Sequence, residues 1–173
     1  MLTDAAYFPC IEVDLEAQTL QLFQASEATP LVYPVSSAQK GPGERQDSGC
    51  TPLGKHYIRA CIGSGLPMGT VFVARRPTGE VYSADLARRH PQRDWILTRV
   101  LWLCGRETGR NRGDGVDSFR RFIYIHGTPD TEPMGEPRSH GCIRMRNTDV
   151  LDLFDRVTTG VPVNIVASRF DAA

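Results

Sequence analysis

The chain of 173 residues lacks several features that would define whole classes of protein. Its apolar runs fall short of the roughly 18 residues that a membrane span needs, so we expect no membrane partner. Basic and acidic residues are balanced at 20 each. This balance argues against binding to nucleic acid or to an anionic membrane surface. Internal repeats, heptad arrays and low-complexity tracts are also missing.

Cysteine is scarce and irregularly spaced, the five being Cys10, Cys50, Cys61, Cys104 and Cys142. An odd number without regular spacing argues against a disulfide framework and fits a reducing compartment. The first residues contain no basic segment followed by an apolar stretch, and Asp4 stands where a secretory leader would carry Lys or Arg. A complete chain would therefore be cytoplasmic, whereas a chain whose leader had been removed would be periplasmic.

The length and the ordinary composition predict a single domain over residues 1–173. Most of the chain alternates apolar and polar residues with period two, which is typical of half-buried strands. We therefore predict a mainly β fold, a β-sandwich with one or two short helices. We also expect a monomer. The predicted strands are residues 10–15, 19–24, 31–36, 51–60, 71–74, 95–104, 119–125 and 161–166.

Two helices are predicted, over residues 83–90 and 148–157. Asn147 or Thr148 is the expected cap of the second helix, and its buried face is predicted to consist of Val150, Leu151, Phe154 and Val157. Residues 75–94 are polar and rich in arginine. This segment is either solvated surface or a flap that meets the carboxylates of a ligand. His56 and His90 have no evident partner and are predicted to lie on the surface.

The chemistry is concentrated in Ser139-His140-Gly141-Cys142-Ile143-Arg144 and in the upstream His126-Gly127-Thr128. A free thiol has a pKa of about 8.5, so it needs an imidazole nearby to take its proton and return it. His126 ends a predicted strand, and the following loop contains three prolines. That loop is long enough to bring Cys142, sixteen positions later, back to the strand end. The pattern predicts a thiol acyl-transfer enzyme.

Two other interpretations of these residues stay open. Cys142 is either a nucleophile or a buried structural cysteine. His126, His140 and Cys142 could alternatively ligate zinc, but no fourth ligand accompanies them. We therefore predict no metal and no cofactor.

With Thr51-Pro52-Leu53-Gly54, the second helix and the closing strand, these motifs resemble the L,D-transpeptidase catalytic domain (YkuD-like) family over roughly residues 11–166. The resemblance implies that Cys142 is the nucleophile and His126 its base, with the Gly127 carbonyl orienting the imidazole. His140 would shape the pocket and support the thiolate or the oxyanion, or else be purely structural.

The resemblance also implies further roles around the nucleophile. The N–H groups of Gly141 and Cys142 would form the oxyanion hole. Arg144 would hold the pocket or bind a substrate carboxylate. Ser139 and Tyr124 are candidate substrate contacts, with packing as the alternative role of Tyr124.

Members of this family act on peptidoglycan stem peptides, between a dibasic residue (usually meso-diaminopimelate) and a terminal D-alanine. Cys142 would attack that carbonyl, expel D-alanine and form a thioester, which an amine converts to a crosslink and water hydrolyses. Because many members carry a leader or wall-binding modules and neither is recognised here, we expect a cytosolic L,D-carboxypeptidase acting on a peptidoglycan-derived tetrapeptide. The alternatives are an L,D-transpeptidase and a non-catalytic muropeptide-binding module.

Overall fold

Strands dominate the computed structural model, which describes residues 9–168. The ten strands of this part of the chain are β1 (Cys10–Asp14), β2 (Thr19–Phe23), β3 (Leu31–Pro34), β4 (Gly54–Ile62), β5 (Thr70–Val73), β6 (Arg76–Val81), β7 (Ile96–Gly105), β8 (Tyr124–Gly127), β9 (Ile143–Met145) and β10 (Pro162–Val166). The two helices are α1 (Ala84–Arg89) and α2 (Asn147–Arg156). The predicted mainly β fold with short helices is confirmed.

All ten strands of residues 9–168 belong to one curled sheet. Its main path runs β3-β2-β1-β10-β4-β7-β5-β6, and β8 joins β7 and carries β9. Most neighbouring strands are antiparallel, but β1 with β10 and β8 with β9 are parallel pairs. Strand β3 ends the sheet, a position that tolerates its Pro34. Every residue of β8 and β9 is buried.

Helix α2 packs against β7 and β8 and differs in detail from the prediction. Its N-cap is Arg146, which makes no side-chain capping bond. Asn147 and Leu153 are buried with Val150, whereas Leu151 and Phe154 are only half-buried. The buried stripe is rotated because Asn147 turns inward to bond polar groups beneath β8, as described below. Neither helix within residues 9–168 has the length and apolar character that crossing a lipid bilayer would require.

The predicted strand over residues 119–125 is wrong in its first half. Residues 118–122 form turns, and β8 begins only at Tyr124. Asp117 holds the chain in these turns, because its carboxylate accepts hydrogen bonds from the N–H groups of Gly113 and Arg120. Phe119 then stacks on Trp102 with ring centroids 3.9 Å apart. Phe122 has a φ of +58° and is half exposed, so it cannot extend the face that Tyr124 and His126 share.

Strand β6 was not predicted, because its sequence Arg-Pro-Thr-Gly-Glu-Val has no apolar alternation. It lies at the sheet edge beyond β5, and its residues are mostly exposed. Edge strands accept proline and charged residues that a central strand would exclude. Strand β6 is therefore stabilised by its pairing with β5 and not by burial of its own side chains.

His56 was predicted on the surface, but it is buried in β4 with 1% of its surface exposed. Its Nδ1 lies 2.9 Å from the Gly54 carbonyl oxygen, and its Nε2 lies 2.8 Å from the Ser118 hydroxyl. A carbonyl only accepts, so Nδ1 carries the proton and Nε2 accepts from Ser118. Burial, opposed in part by the bond to Gly54, lowers the pKa of His56 to about 4.

This burial predicts a loss of stability in acid. Between about pH 6.5 and pH 4 the unfolded chain binds a proton at His56 that the native state excludes. The contribution of His56 to the free energy of unfolding should therefore fall as the pH drops through this window, by about 3 kcal/mol. Urea unfolding at pH 7, 6, 5 and 4 measures the slope.

The test variant is His56→Asn. Its matched control is His90→Asn, because His90 is an exposed histidine of the same chain. The first variant should show a shallower pH dependence than the wild type, and the second should not differ from it. Equal slopes in all three proteins would contradict the role assigned to His56. If His56→Asn is too unstable to measure, the His56 ring of the wild type should show no NMR titration above pH 5.

Candidate active site

The parallel pairing of β8 with β9 gathers the predicted site residues on one face. His126 pairs with Arg144 and Ile125 with Ile143. Alternate residues of a strand point to the same side. Cys142, two positions before Arg144, therefore shares the face of Tyr124 and His126, while both isoleucines are buried on the opposite face in the core.

The turn that carries Cys142 is held by side-chain hydrogen bonds. Gly141 has a φ of +136°, and a side chain there would press on the Cys50 carbonyl and on Ile123. Thr51, from the Thr-Pro-x-Gly element, donates its hydroxyl proton to the Gly141 carbonyl at 2.9 Å. The Ser139 hydroxyl donates to the Cys142 carbonyl at 2.5 Å. The sulfur is thus placed by a rigid turn.

Two backbone groups contact the sulfur of Cys142. The Tyr124 N–H donates to Sγ at 3.4 Å, and the thiol donates to the Phe122 carbonyl at 3.4 Å. Burial raises the pKa of Cys142 to about 12, although the Tyr124 N–H and the positive charges of Arg144 and Arg121 act in the other direction. The resting group is therefore a thiol rather than a thiolate.

His126 is buried, with 1% of its surface exposed. Its Nδ1 lies 2.7 Å from the Gly127 carbonyl oxygen, so Nδ1 carries the proton and Nε2 keeps its lone pair. Burial lowers the pKa of His126, and the bond to Gly127 and the charge of Asp94 only partly oppose this. A neutral imidazole with a free Nε2 is the form that can take a proton from the thiol.

A packed floor holds Gly127 in place. A β-carbon on Gly127 would lie 2.5 Å from the Asn147 side-chain oxygen and 2.7 Å from the Leu97 carbonyl oxygen. The Thr98 hydroxyl donates to the same Asn147 oxygen at 2.5 Å, and the Asn147 amide donates to the Thr128 carbonyl at 2.9 Å. Thr98 has a φ of +71° at an irregularity of β7. Such irregularities are frequent beside active sites.

Sequence reasoning did not find Thr98 and gave Asn147 only a capping role. No sequence signal indicates a β-branched residue with positive φ, which is a rare backbone state. Asn147 could have been suspected, because asparagine at a helix start offers both a donor and an acceptor to neighbouring backbone.

Arg144 is buried beside the imidazole, with 8% of its surface exposed. Its guanidinium pairs with Asp94 at 3.2 Å and with Glu132 at 3.5 Å. Both acids come from loops at the rim. The arginine therefore ties these loops to β9, and its charge is compensated by the protein.

The face opens into a cavity of about 480 Å³. All the predicted catalytic and binding side chains line it: Tyr124, His126, Ser139, His140, Cys142 and Arg144. Ala74, Arg75, Asp94, Ile96 and Phe122 complete its wall. His140 is exposed at the opening, and Gly127 lies behind His126. Cys142 and His126 thus share one solvent-accessible cleft.

The predicted oxyanion donors are the N–H groups of Gly141 and Cys142, and Cys142 lines this cleft. At rest the Gly141 N–H donates to the Ser139 hydroxyl at 3.3 Å.

The zinc alternative has no support in the geometry, because within residues 9–168 no three His, Cys, Asp or Glu side chains are grouped as metal ligands.

A thiol that shares a cleft with a neutral imidazole, itself oriented by a main-chain carbonyl, defines a site for nucleophilic acyl transfer. Residues 9–165 match the profile of the L,D-transpeptidase catalytic domain (YkuD) family. The chain belongs to this family.

Curated relatives agree over shorter stretches. A probable L,D-transpeptidase ErfK/SrfK of Escherichia coli is 30% identical, with 51% of this chain and 37% of that protein aligned. A putative L,D-transpeptidase YkuD of Bacillus licheniformis is 44% identical over 27% of this chain and 28% of its own length. The chain thus spans less than two fifths of either relative.

Solved structures share the fold at low identity. Bd1075 of Bdellovibrio bacteriovorus aligns with 96% of this chain and 50% of its own, with a TM-score of 0.54 and 19% identity. An Enterococcus faecium L,D-transpeptidase variant, C442S, aligns with 91% of this chain and 49% of its own, with a TM-score of 0.53 and 18% identity.

Proposed function

We propose that this chain is an L,D-carboxypeptidase that releases terminal D-alanine from a peptidoglycan-derived tetrapeptide through a thioester on Cys142. The single observation that carries the proposal is the placement of Cys142 and a neutral His126 in one cleft. The Gly127 carbonyl fixes the tautomer that leaves Nε2 available to the thiol.

The reaction follows from these contacts. Rotation of the Cys142 side chain away from the Phe122 carbonyl lets the thiol proton pass to His126 Nε2 as sulfur attacks the peptide carbonyl carbon. The Cys142 N–H, with the Gly141 N–H once it leaves Ser139, stabilises the oxyanion. Collapse breaks the peptide bond, and the departing amine of D-alanine takes the proton from His126. Water, activated by the same imidazole, then cleaves the thioester and leaves the tripeptide.

The cleft of about 480 Å³ has the size of a site for one small ligand. Two smaller cavities also border His140, one of about 190 Å³ between the loops of Asp94 and Glu132 and one of about 270 Å³ beside Arg121. The test below therefore measures both the tripeptide and the crosslinked product. The names of the curated relatives favour the second candidate, an L,D-transpeptidase in which an amine takes the place of water.

Location is part of the same proposal. All five cysteines are free thiols, as expected in a reducing compartment. A cytoplasmic enzyme would act on wall fragments returned for recycling rather than on the polymeric wall.

The test is to incubate the purified protein with a diaminopimelate-containing tetrapeptide, with and without an acceptor peptide. We expect free D-alanine, tripeptide and no crosslinked dimer, together with a carbapenem adduct on Cys142 by mass spectrometry. Cys142→Ala should abolish the release and the adduct. Cys50→Ala, which removes another half-buried free thiol, should retain both.

The other outcomes discriminate between the alternatives. A dimer that forms at the expense of tripeptide would establish the transpeptidase. If the protein neither releases D-alanine nor forms an adduct on Cys142, the proposed enzyme is refuted and only the binding module remains.

A further inference from the structure

Two arginines line the cleft, and they differ in how their charges are balanced. Arg144 faces the carboxylates of Asp94 and Glu132. Arg75 faces none, since within residues 9–168 no carboxylate comes within ion-pair distance of its guanidinium. The charge that a ligand would find uncompensated in the cleft is that of Arg75.

A strained turn presents Arg75 to the cleft. Ala74 and Arg75 connect β5 to β6, with φ values of +48° and +66°. Two consecutive residues with positive φ are usually glycine, asparagine or aspartate, because other side chains raise the energy of this turn. The turn nonetheless carries an alanine and an arginine, and it points the arginine inward rather than to solvent.

The Arg75 guanidinium lies between aromatic rings. Its Cζ is 4.6 Å from the ring centroid of Trp102 and 4.8 Å from that of Phe122. Its Nη1 donates to the Tyr124 hydroxyl at 3.2 Å. Stacking fixes the plane of a guanidinium and leaves its edge free to bind a carboxylate with two parallel hydrogen bonds.

The remaining arginines of the predicted flap do not share this arrangement. Arg88 and Arg89 pair with Asp85 on α1, and Arg93 pairs with Glu80. Arg76, next to Arg75 in the chain, is exposed. Of the basic stretch, only Arg75 lines the cavity that holds Cys142.

We propose that Arg75 binds a free carboxylate of the peptide whose carbonyl Cys142 attacks. This inference rests on the proposed function and adds how the substrate is recognised. Tyr124 connects Cys142 with Arg75, because its N–H contacts the sulfur and its hydroxyl contacts the Arg75 guanidinium. The bound carboxylate therefore lies about one tyrosine side chain from the reacting carbonyl. Two sources fit, namely the carboxylate of the terminal D-alanine and the side-chain carboxylate of the diamino acid.

Binding to the Cys142→Ala protein tests this without requiring turnover. The Kd of the tetrapeptide is measured by calorimetry with Arg75 intact, with Arg75→Gln, with Arg75→Lys and with the exposed control Arg76→Gln. We expect Arg75→Gln to weaken binding about 10- to 100-fold, as for loss of a charge-assisted hydrogen bond. Arg75→Lys should weaken it less, and Arg76→Gln should not change it. Thermal unfolding of each variant verifies that it is folded.

Amidated peptides identify the carboxylate. One peptide is amidated at the terminal D-alanine, one at the diamino-acid side chain, and one at every carboxylate. The peptide amidated at the recognised carboxylate should bind with the same Kd to the proteins with and without Arg75→Gln. The fully amidated peptide should also show no difference between these two proteins, whichever carboxylate is recognised. A fully amidated peptide that still loses affinity, or an equal loss in Arg76→Gln, would overturn the proposal.

These outcomes are separate from the test of the enzyme. A wild-type protein that releases no D-alanine would refute the carboxypeptidase, yet the Kd difference at Arg75 would still stand. Normal release combined with unchanged Kd values in Arg75→Gln would refute only the carboxylate site.

Discussion

His126→Asn is expected to lower kcat/KM for thioester formation by about 10²- to 10⁴-fold, the usual contribution of a general base. An asparagine amide nitrogen takes the place of Nδ1 and keeps the donor to the Gly127 carbonyl. The substitution therefore removes Nε2 while preserving the hydrogen bond that holds the strand end. The rate of carbapenem acylation at pH 7, compared with the wild type, measures the loss.

The pH profile separates the loss of a base from a general disturbance of the site. In the wild type the acidic limb should lie below pH 6.5, because burial lowers the pKa of His126 and acylation needs the neutral ring. In the variant only the thiolate reacts, and the pKa of Cys142 is about 12. Its rate should therefore rise about tenfold per pH unit up to pH 10.

His140→Asn is the matched control, since His140 lines the same cavity but lies exposed at its opening. We expect its acidic limb to match that of the wild type. If His140→Asn instead loses the limb and His126→Asn retains it, the base is His140 and the assignment made from the Gly127 contact is wrong.

Much of the central fold was predictable because strands with one buried face repeat with period two. Strands β2, β4 and β10 bury alternate residues in this way and lie close to where the sequence predicted them. The errors fall where tertiary contacts decide. Residues 119–122 stand directly before the apolar residues of β8 and were predicted as the start of that strand, but Asp117 and the stacking on Trp102 turn them. Strand β6 has no such pattern and exists only through its partner.

Local motifs predicted that Cys142, His126 and His140 lie in one site, because the chemistry requires these residue types close together, and the three side chains do line one cavity. The environment of these residues was not predictable. Arg75 comes from a segment distant in sequence, and its contacts with Trp102, Phe122 and Tyr124 do not follow from its neighbours in the chain. The protonation state of the pair also depends on burial, which raises the pKa of Cys142 and lowers that of His126.

Gly127→Ala is expected to reduce both stability and activity, because the site depends on the close packing beneath His126. The added methyl would approach the Leu97 carbonyl and the Asn147 side chain at 2.7 and 2.5 Å. The Leu97 oxygen belongs to the backbone, so β7 and β8 must separate. We expect a loss of about 3 kcal/mol in the free energy of unfolding, at the upper end for overpacking. Displacement of the Gly127 carbonyl should lower kcat/KM about 100-fold.

The comparison that isolates this steric effect is Gly79→Ala. Gly79 has a φ of +86°, and a methyl group added there would meet no atom within 4 Å, so its substitution adds only backbone strain, worth about 1 kcal/mol. Because the bond to Gly127 raises the pKa of His126, the acidic limb of folded Gly127→Ala should move to lower pH, while that of Gly79→Ala should stay. A Gly127→Ala protein with wild-type acylation and an unshifted limb would show that His126 is oriented by something other than this carbonyl.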